Sequence, residues 1–205
     1  LSIFDLALKG GWIMITLFIL SIVAIYIFSE RYLAIRKASE TDANFMNRIR
    51  EYIHEDKIDS ALALCQSKNT PVARMIEKGI QRIGRPLSDV NTAIENVGNL
   101  EISKLEASLP FLATISGGAP MIGFLGTVIG MIQAFYDMSM AGNNIDVSLL
   151  SNGIYTAMVT TVAGLIVGVF AYFGYNFLVA RVEKVVFDLE AKTSEFMDLL
   201  NEPVA

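Results

Sequence analysis

Two long stretches of this chain carry no acidic or basic side chain, residues 107–136 and residues 147–180. Each is longer than the roughly 20 residues that a helix needs to cross a bilayer. A third stretch, residues 10–29, is also free of charge and strongly apolar. The charged pair Glu30-Arg31 follows it, where a signal peptide would have a small-residue cleavage site. We therefore expect three transmembrane helices, with the first span retained.

The composition agrees with an all-α integral membrane protein. Of the 205 residues, 53% are hydrophobic and 18% are charged, whereas soluble domains usually carry about 25% charged residues. The net charge of −5 is modest, and no basic cluster indicates a nucleic-acid partner. The single cysteine, Cys65, cannot form an internal disulfide, and we expect it to be a buried structural thiol.

The sequence contains no pattern typical of a catalytic or ligand-binding site. It has no HExxH motif, no phosphate-binding loop, no GxSxG motif and no pair of cysteines. The glycines of residues 123–130 lie inside a predicted membrane span, which argues against phosphate binding. We therefore expect neither an enzyme, nor a metal site, nor an organic cofactor.

The distribution of basic residues predicts the orientation of the spans. Positive residues near the ends of membrane helices favour the inner side of the membrane. The connection at 137–146 has two acids and no base, so it is placed outside together with the N-terminus. Residues 30–106 and the C-terminal tail are placed inside by the following basic residues: Arg31, Arg36, Lys37, Lys104, Arg181 and Lys184.

The polar parts of the chain also have a predicted organisation. Residues 1–9 are expected to form a short amphipathic segment at the outer interface. Residues 30–106 have apolar side chains at helical spacing, with breaks at 69–71 and 84–86, which predicts a small bundle of short helices inside the cell. Residues 181–205 are expected to continue the third span as one long helix that joins this bundle.

Small residues recur at helical spacing in the second and third spans. Gly126 and Gly130 form one GxxxG pair, and Gly164 and Gly168 form another. Such pairs allow membrane helices to approach closely, and Pro120 is expected to take part in the same packing. The contact can lie within one chain or between neighbouring subunits of a ring, and the two interpretations are compatible.

Polar residues follow a four-residue repeat in the third span. Ser148, Asn152, Thr156 and Thr160 form a slowly drifting stripe, and Thr161 lies beside it. A single threonine in a membrane helix commonly bonds to its own backbone. Four polar residues on one stripe favour a face that lines a lumen.

None of the three spans contains an Asp, Glu or His, the residues that form intramembrane proton relays. The only histidine, His54, belongs to the polar segment between the first two spans. If the assembly moves protons, the ionisable group is therefore expected to come from another polypeptide.

Two motifs resemble the MotA/TolQ/ExbB proton-channel family. Residues 105–135 read LEASLPFLATISGGAPMIGFLGTVIGMIQAF, with Phe124 where the family usually has Leu. Residues 153–176 read GIYTAMVTTVAGLIVGVFAYFGYN and resemble the third helix of the family. The resemblance covers essentially the whole chain. It is closer to ExbB and TolQ than to MotA, because the sequence predicts three spans and not four.

The resemblance implies a multi-pass protein of the bacterial inner membrane, with a periplasmic N-terminus and a cytoplasmic C-terminus. It implies a ring of five such chains around two copies of a single-span ExbD/TolR-type partner, which carries a membrane aspartate. Protons are the coupling ion, and the motor acts on TonB or TolA across the periplasm. The two pore threonines of the family correspond to Thr127 and Thr161. Many relatives have a glutamate eight residues before Gly164, where this chain has Thr156.

Three functions remain open at this point. The first is an ExbB-like motor subunit that drives TonB-dependent transport at the outer membrane, with Asn152, Thr156 and Thr160 lining the pore beside the two family threonines. The second is a TolQ-like subunit that serves envelope integrity. The third is a membrane scaffold that conducts no protons, which would suit the absence of carboxylates from the spans.

Overall fold

The computed structural model describes residues 11–40, 42, 44–140 and 147–201. Every regular element in these ranges is a helix, as the sequence predicts. The helices in chain order are α1 (Gly11–Ala38), α2 (Phe45–His54), α3 (Ile58–Ser67), α4 (Pro71–Ile80), α5 (Leu87–Glu106), α6 (Leu109–Met140) and α7 (Val147–Asn201).

Three helical stretches are long and apolar enough to cross a membrane, in agreement with the predicted number of spans. They are Gly11–Ala38, Leu87–Met140 and Leu150–Asn201. The second stretch combines α5 and α6, which are separated only by a turn at residues 107–108. The third lies within α7, which is a single helix of 55 residues, as expected for the long helix after the third span.

The helices extend beyond the charge-free runs. Helix α1 continues past Glu30 to Ala38, and α6 continues past Asp137 to Met140. Residues 137–140 were expected to belong to a loop, and the structure corrects this boundary. A charged side chain ends the part of a helix that lipid can surround, but the backbone hydrogen bonds continue in water. Residues 1–9 and 141–146, for which an interfacial segment and the rest of the loop are predicted, lie outside the described residues.

The chain divides into two compact units. Of the described residues, the first unit comprises 11–30, 108–140 and 147–177, and the second comprises 31–40, 42, 44–107 and 178–201. The charge-free sequence lies almost entirely in the first unit, and most of the charged residues lie in the second. Helices α1 and α7 contribute residues to both units.

Helix α1 packs against α7 in the first unit. The Phe28 ring lies beside the Phe177 ring, with 6.3 Å between the ring centroids. Gly174 faces the same phenylalanine, and a methyl group on it would lie 3.0 Å from the Phe28 ring. Leu17 is almost completely buried in this unit. These contacts hold α1 against α7.

The second unit has a continuous apolar core. Gly79 lies where three helices meet, since a methyl group there would lie 2.5 Å from Phe196 and 2.7 Å from Ile94. Cys65 is buried in this unit, as predicted. Burial raises the pKa of its thiol to about 12, so the thiol stays protonated and unreactive at neutral pH. The largest fully buried side chains here include Ile35, Ile49, Ile76, Val90, Ile94 and Phe196.

Local signals set the helix boundaries in the second unit where the sequence predicts breaks. The Thr70 hydroxyl accepts a hydrogen bond from the backbone N–H of Ala73 at 3.3 Å, and Pro71 occupies the first turn of α4. Gly84 has a φ of +88°, in the left-handed region that favours glycine. Helix α5 then begins directly after Pro86.

A buried carboxylate joins α4 to α5. Glu101 is 5% exposed, and its two carboxylate oxygens bond the guanidinium of Arg74 at 2.5 Å and the ammonium of Lys104 at 2.7 Å. Burial alone would raise the pKa of Glu101, but the hydrogen bonds from Arg74 and Lys104 outweigh it and hold the pKa below its ordinary value. The ionised form therefore stabilises the fold.

The substitution Glu101→Gln tests this carboxylate. The pKa of Glu101 is lower in the folded protein than in the unfolded chain. The contribution of its carboxylate to the free energy of unfolding is therefore complete above the unfolded pKa of about 4.3, and it is lost as the pH falls through the folded pKa. We expect the variant to lose about 1–2 kcal/mol of unfolding free energy at pH 7, and the difference from the wild type to shrink as the pH falls below about 4.3 and through the folded pKa. Thermal unfolding of the variant and the wild type, followed by circular dichroism at pH 7 and at pH 3.5, measures this difference.

Glu95→Gln is the matched control, because Glu95 is exposed on the same helix and bonds Asn91. Its effect should stay within about 0.5 kcal/mol. A loss at Glu101 that is the same at pH 7 and pH 3.5 would contradict the assignment.

Candidate functional site

Helices α6 and α7 approach each other at the level of their backbones. A methyl group on Gly123 of α6 would lie 2.7 Å from the carbonyl oxygen of Thr160 and 3.1 Å from the Cα of Gly164. A methyl group on Gly164 of α7 would lie 2.5 Å from the carbonyl oxygen of Ala119. Neither position has room for a Cβ, so this crossing requires glycine on both helices.

The close contact continues in both directions along the pair. Gly126 faces Thr160, Gly130 faces Ala157, and Gly168 faces Pro120. Both predicted glycine pairs and Pro120 therefore pack within one chain. A contribution of the same residues to contacts between chains remains a prediction.

Three threonine hydroxyls gather at this crossing, and we call Thr127, Thr160 and Thr161 the hydroxyl cluster. The hydroxyls of Thr127 and Thr161 are in direct contact across the two helices. The Thr127 hydroxyl lies 3.1 Å from the carbonyl oxygen of Ala157. The Thr161 hydroxyl lies 3.2 Å from the carbonyl oxygen of Gly123. Each hydroxyl of this pair thus reaches a backbone carbonyl of the opposite helix.

Thr160 lies on the buried side of the Thr127–Thr161 pair. It is 2% exposed, and its hydroxyl lies 2.7 Å from the carbonyl oxygen of Ala157 and 3.2 Å from that of Gly123. The expectation that Thr160 itself faces a lumen is corrected, because α6 covers it. Thr127 and Thr161 are half-buried and so remain reachable from outside the helix pair.

The remaining predicted pore residues lie outside the hydroxyl cluster. Asn152 is exposed and Thr156 is half-buried, two turns and one turn before Thr160 on α7. Thr156 and Thr161 are five residues apart, which places them about 140° apart around the helix. Thr161 therefore lies on a different side of α7 from Thr156, and the involvement of Asn152 and Thr156 in a proton pathway stays a prediction.

The hydroxyl cluster can form hydrogen bonds to an external group, but it cannot store a proton. A hydroxyl supplies one donor and two acceptor lone pairs, and it does not titrate near neutral pH. Among the described residues, no group of three or more His, Cys, Asp or Glu side chains could hold a metal ion. The charge-free spans of the sequence add no ionisable carboxylate or imidazole. Chemistry at this site is therefore hydrogen bonding without a resident acid or base.

The sequence indicated all three threonines of the cluster but not their shared acceptors, which are the backbone carbonyls of Gly123 and Ala157. No side-chain pattern identifies a carbonyl. The small-residue spacing did contain a signal that went unused: Ala119 and Gly123 precede Gly126 and Gly130 at the same helical face. Extending the glycine pair backwards by two turns would have located the crossing.

A comparison of the sequence with known families decides its affiliation. The profile of the MotA/TolQ/ExbB proton channel family matches residues 67–191, which is more than half of the chain. The chain belongs to this family. The matched region contains α4, α5, α6 and most of α7, so it includes the whole hydroxyl cluster.

Among the relatives of this chain, some are named ExbB and others are named TolQ. The Tol-Pal system protein TolQ of Pseudomonas aeruginosa is 27% identical over 94% of this chain and 87% of its own length. The biopolymer transport protein ExbB of Aquifex aeolicus is 35% identical over 53% of this chain and 74% of its own length. The TolQ protein of Haemophilus influenzae is 36% identical over 50% of this chain and 45% of its own length.

These similarities, together with the three apolar helices, describe a membrane subunit of the ExbB/TolQ proton-channel type. A proton channel is a transport component and not an enzyme family. The names ExbB and TolQ both occur among the relatives, so the family shows the type of protein without distinguishing the branch.

The glycine crossing gives a test of the site's architecture. We expect Gly123→Ala to separate α6 from α7, because the added methyl group would meet backbone atoms of α7 that cannot move aside. The variant should be lost from the membrane or should unfold at a lower temperature. The measurement is the amount and melting temperature of detergent-extracted protein.

Gly117→Ala is the matched control on the same helix, since a methyl group there meets nothing within 4 Å. It should fold as the wild type does. Equal stability of the two variants would show that the close crossing is not required.

Proposed function

We propose that this chain is an ExbB-like subunit of a proton-driven motor in the bacterial inner membrane. In this proposal five copies form a ring around two helices of an ExbD/TolR-type protein, and the cytoplasmic ends of the helices form a bundle below the membrane. The N-terminus is periplasmic and the C-terminus is cytoplasmic. Proton flow through the ring drives a TonB-type protein and thereby energises transport across the outer membrane.

The observation that carries the proposal is the hydroxyl cluster inside two spans that lack any acid or base. Thr127 and Thr161 are half-buried and present their oxygens beside each other. Such a site can hydrate and orient a proton carrier, but it needs a carrier from elsewhere. A partner helix with a membrane aspartate supplies that group. Thr127 and Thr161 are therefore assigned to the proton pathway.

Exposed polar residues in the charge-free spans support a ring. Asn152 of α7 and Gln133 of α6 are exposed in the single chain. Lipid offers an amide no hydrogen-bond partner, so such residues favour contact with another chain or with water. A ring that encloses a hydrated lumen provides both. In this arrangement Asn152 and Thr156 contribute to the lumen, without the glutamate that many relatives have at the position of Thr156.

Replacement of the two reachable hydroxyls tests the proposed pathway. Thr127→Val and Thr161→Val keep the side-chain shape and remove the hydrogen bonds. We expect each variant to reduce proton-driven transport about tenfold or more while the ring still assembles. Proton flux into vesicles that contain the reconstituted complex measures the effect.

Thr114→Val is the control for this experiment, because the Thr114 hydroxyl is exposed on α6 and donates to the carbonyl of Pro110 at 2.8 Å, away from the cluster. Its flux should equal that of the wild type. Wild-type flux in both Thr127→Val and Thr161→Val, at equal assembly, would remove these residues from the pathway.

A TolQ-like role in envelope integrity is the second candidate. It is favoured by the similarity to TolQ of Pseudomonas aeruginosa, which extends over 94% of this chain. In that case the ring would surround a TolR-type partner and act on a TolA-type protein. The proton pathway would be the same, so only the partners distinguish the two branches.

Native mass spectrometry of the complex extracted from its own membranes tests the assembly and the branch together. We expect five copies of this chain with two copies of a single-span protein that has a membrane aspartate. An ExbD-type partner supports the proposed role, and a TolR-type partner supports the second candidate. Rings of this chain alone, under mild extraction, would contradict both and support the scaffold that conducts no protons.

A further inference from the structure

The hydroxyl cluster contains three hydrogen-bond donors for two backbone carbonyls. Thr127 and Thr160 both lie within hydrogen-bond distance of the Ala157 oxygen, at 3.1 Å and 2.7 Å. Thr161 and Thr160 both lie 3.2 Å from the Gly123 oxygen. The buried hydroxyl of Thr160 therefore shares each acceptor with one of the two reachable hydroxyls.

Each carbonyl has room for only one of its two competing hydroxyls. A carbonyl oxygen has two lone pairs. In a helix, one of them accepts the backbone N–H four residues further along, which is that of Thr127 for Gly123 and that of Thr161 for Ala157. A single lone pair remains on each oxygen. When the Thr160 hydroxyl donates to one of the two carbonyls, only the other carbonyl remains free to accept a hydrogen bond from Thr127 or Thr161.

Two arrangements of the hydroxyl protons follow. When Thr160 donates to Ala157, Thr161 is the acceptor left to Thr127 within the cluster, and Thr161 donates to Gly123. When Thr160 donates to Gly123, Thr127 is the acceptor left to Thr161 within the cluster, and Thr127 donates to Ala157. The bond between Thr127 and Thr161 is reversed between the two arrangements, and the change requires only rotation of hydroxyl hydrogens.

The two arrangements differ in what they offer to an external group. In the first, the Thr127 oxygen has both lone pairs open and the Thr161 oxygen has one, and in the second these numbers are exchanged. All three hydroxyl protons are used internally in both arrangements. The reachable face therefore accepts hydrogen bonds, which suits water or a protonated carboxylic acid better than a carboxylate.

We propose that Thr160 is a positioning residue whose buried hydroxyl sets the donor direction of the Thr127–Thr161 pair, and so moves the oxygen with two open lone pairs from Thr127 on α6 to Thr161 on α7. This inference rests on the proposed function, since it assigns the pair to the proton pathway. The external group is a proton donor, either water or the protonated carboxyl group of a partner helix. No covalent bond forms or breaks, and each hydroxyl keeps its proton.

Variants at position 160 separate the hydroxyl from the shape of the side chain. Thr160→Val keeps the volume and removes the hydroxyl, whereas Thr160→Ser keeps the hydroxyl. We expect Thr160→Val to lower proton flux about fivefold, the change for one net hydrogen bond, and Thr160→Ser to retain it. If the valine variant fails to assemble, Thr160→Ala against Thr160→Ser gives the same comparison, because both lose the methyl group.

A double variant distinguishes positioning from general stabilisation. Because Thr160 acts through the pair, adding Thr160→Val to Thr127→Val should cause no further loss of flux. A further loss of about fivefold in the double variant would show that Thr160 acts independently, and it would overturn the proposal. Wild-type flux in Thr160→Val at equal assembly would overturn it as well.

A spectroscopic readout tests the arrangement without reference to transport. In samples with ¹³C-labelled threonine, solid-state NMR reports the Cβ signals of Thr127 and Thr161, which depend on the hydrogen bonds of their hydroxyls. We expect Thr160→Val to shift both signals, Thr160→Ser to shift neither, and Thr114→Val to shift neither. Unchanged signals in Thr160→Val would contradict the shared acceptors.

The two sets of measurements separate this inference from the proposed function. If Thr127→Val and Thr161→Val keep wild-type flux while the NMR signals shift as expected, the proposed pathway fails and the hydrogen-bond arrangement stands. If those variants lose flux while the signals do not shift, the pathway stands and the role of Thr160 fails.

Discussion

The close approach of α6 and α7 at Gly123 and Gly164 is the contact on which the rest of the first unit depends. Backbone atoms of the two helices lie where side chains usually separate them. This distance lets hydroxyls on one helix reach carbonyls on the other. In a hydrocarbon environment such groups need partners within the protein, so packing and polar satisfaction are achieved by the same crossing. A larger residue at either glycine would remove both.

The two units use different physical means to hold their helices. In the first, charge-free helices meet through small residues, because lipid supplies little hydrophobic drive for helix association. In the second, amphipathic helices bury an apolar core around Phe196 and Ile94, with the ionised Glu101 bonded to Arg74 and Lys104. Cys65 belongs to that core and has a raised pKa, so it serves packing and not chemistry.

A proton-channel subunit without an acid or base in its spans places a chemical constraint on the assembly. The chain can offer oriented oxygens and a route for water, whereas the step of binding and releasing a proton requires a group on a partner. The hydroxyl cluster is suited to this division of roles, because its acceptors favour the protonated form of a carrier. The partner helix in our proposal meets this requirement, whereas the ring and the driven protein are proposed from the family resemblance.

The sequence by itself determined the helical class, the three spans and the breaks before α4 and α5, since charge-free runs, Thr70-Pro71 and Gly84 act through local physical effects. It also indicated Thr127 and Thr161 through the family motifs. Only the tertiary structure decided that Thr160 is buried against α6, and that the carbonyls of Gly123 and Ala157 belong to the site. These facts depend on how α6 and α7 face each other, and helical periodicity within one segment carries no information about the rotation of its neighbour.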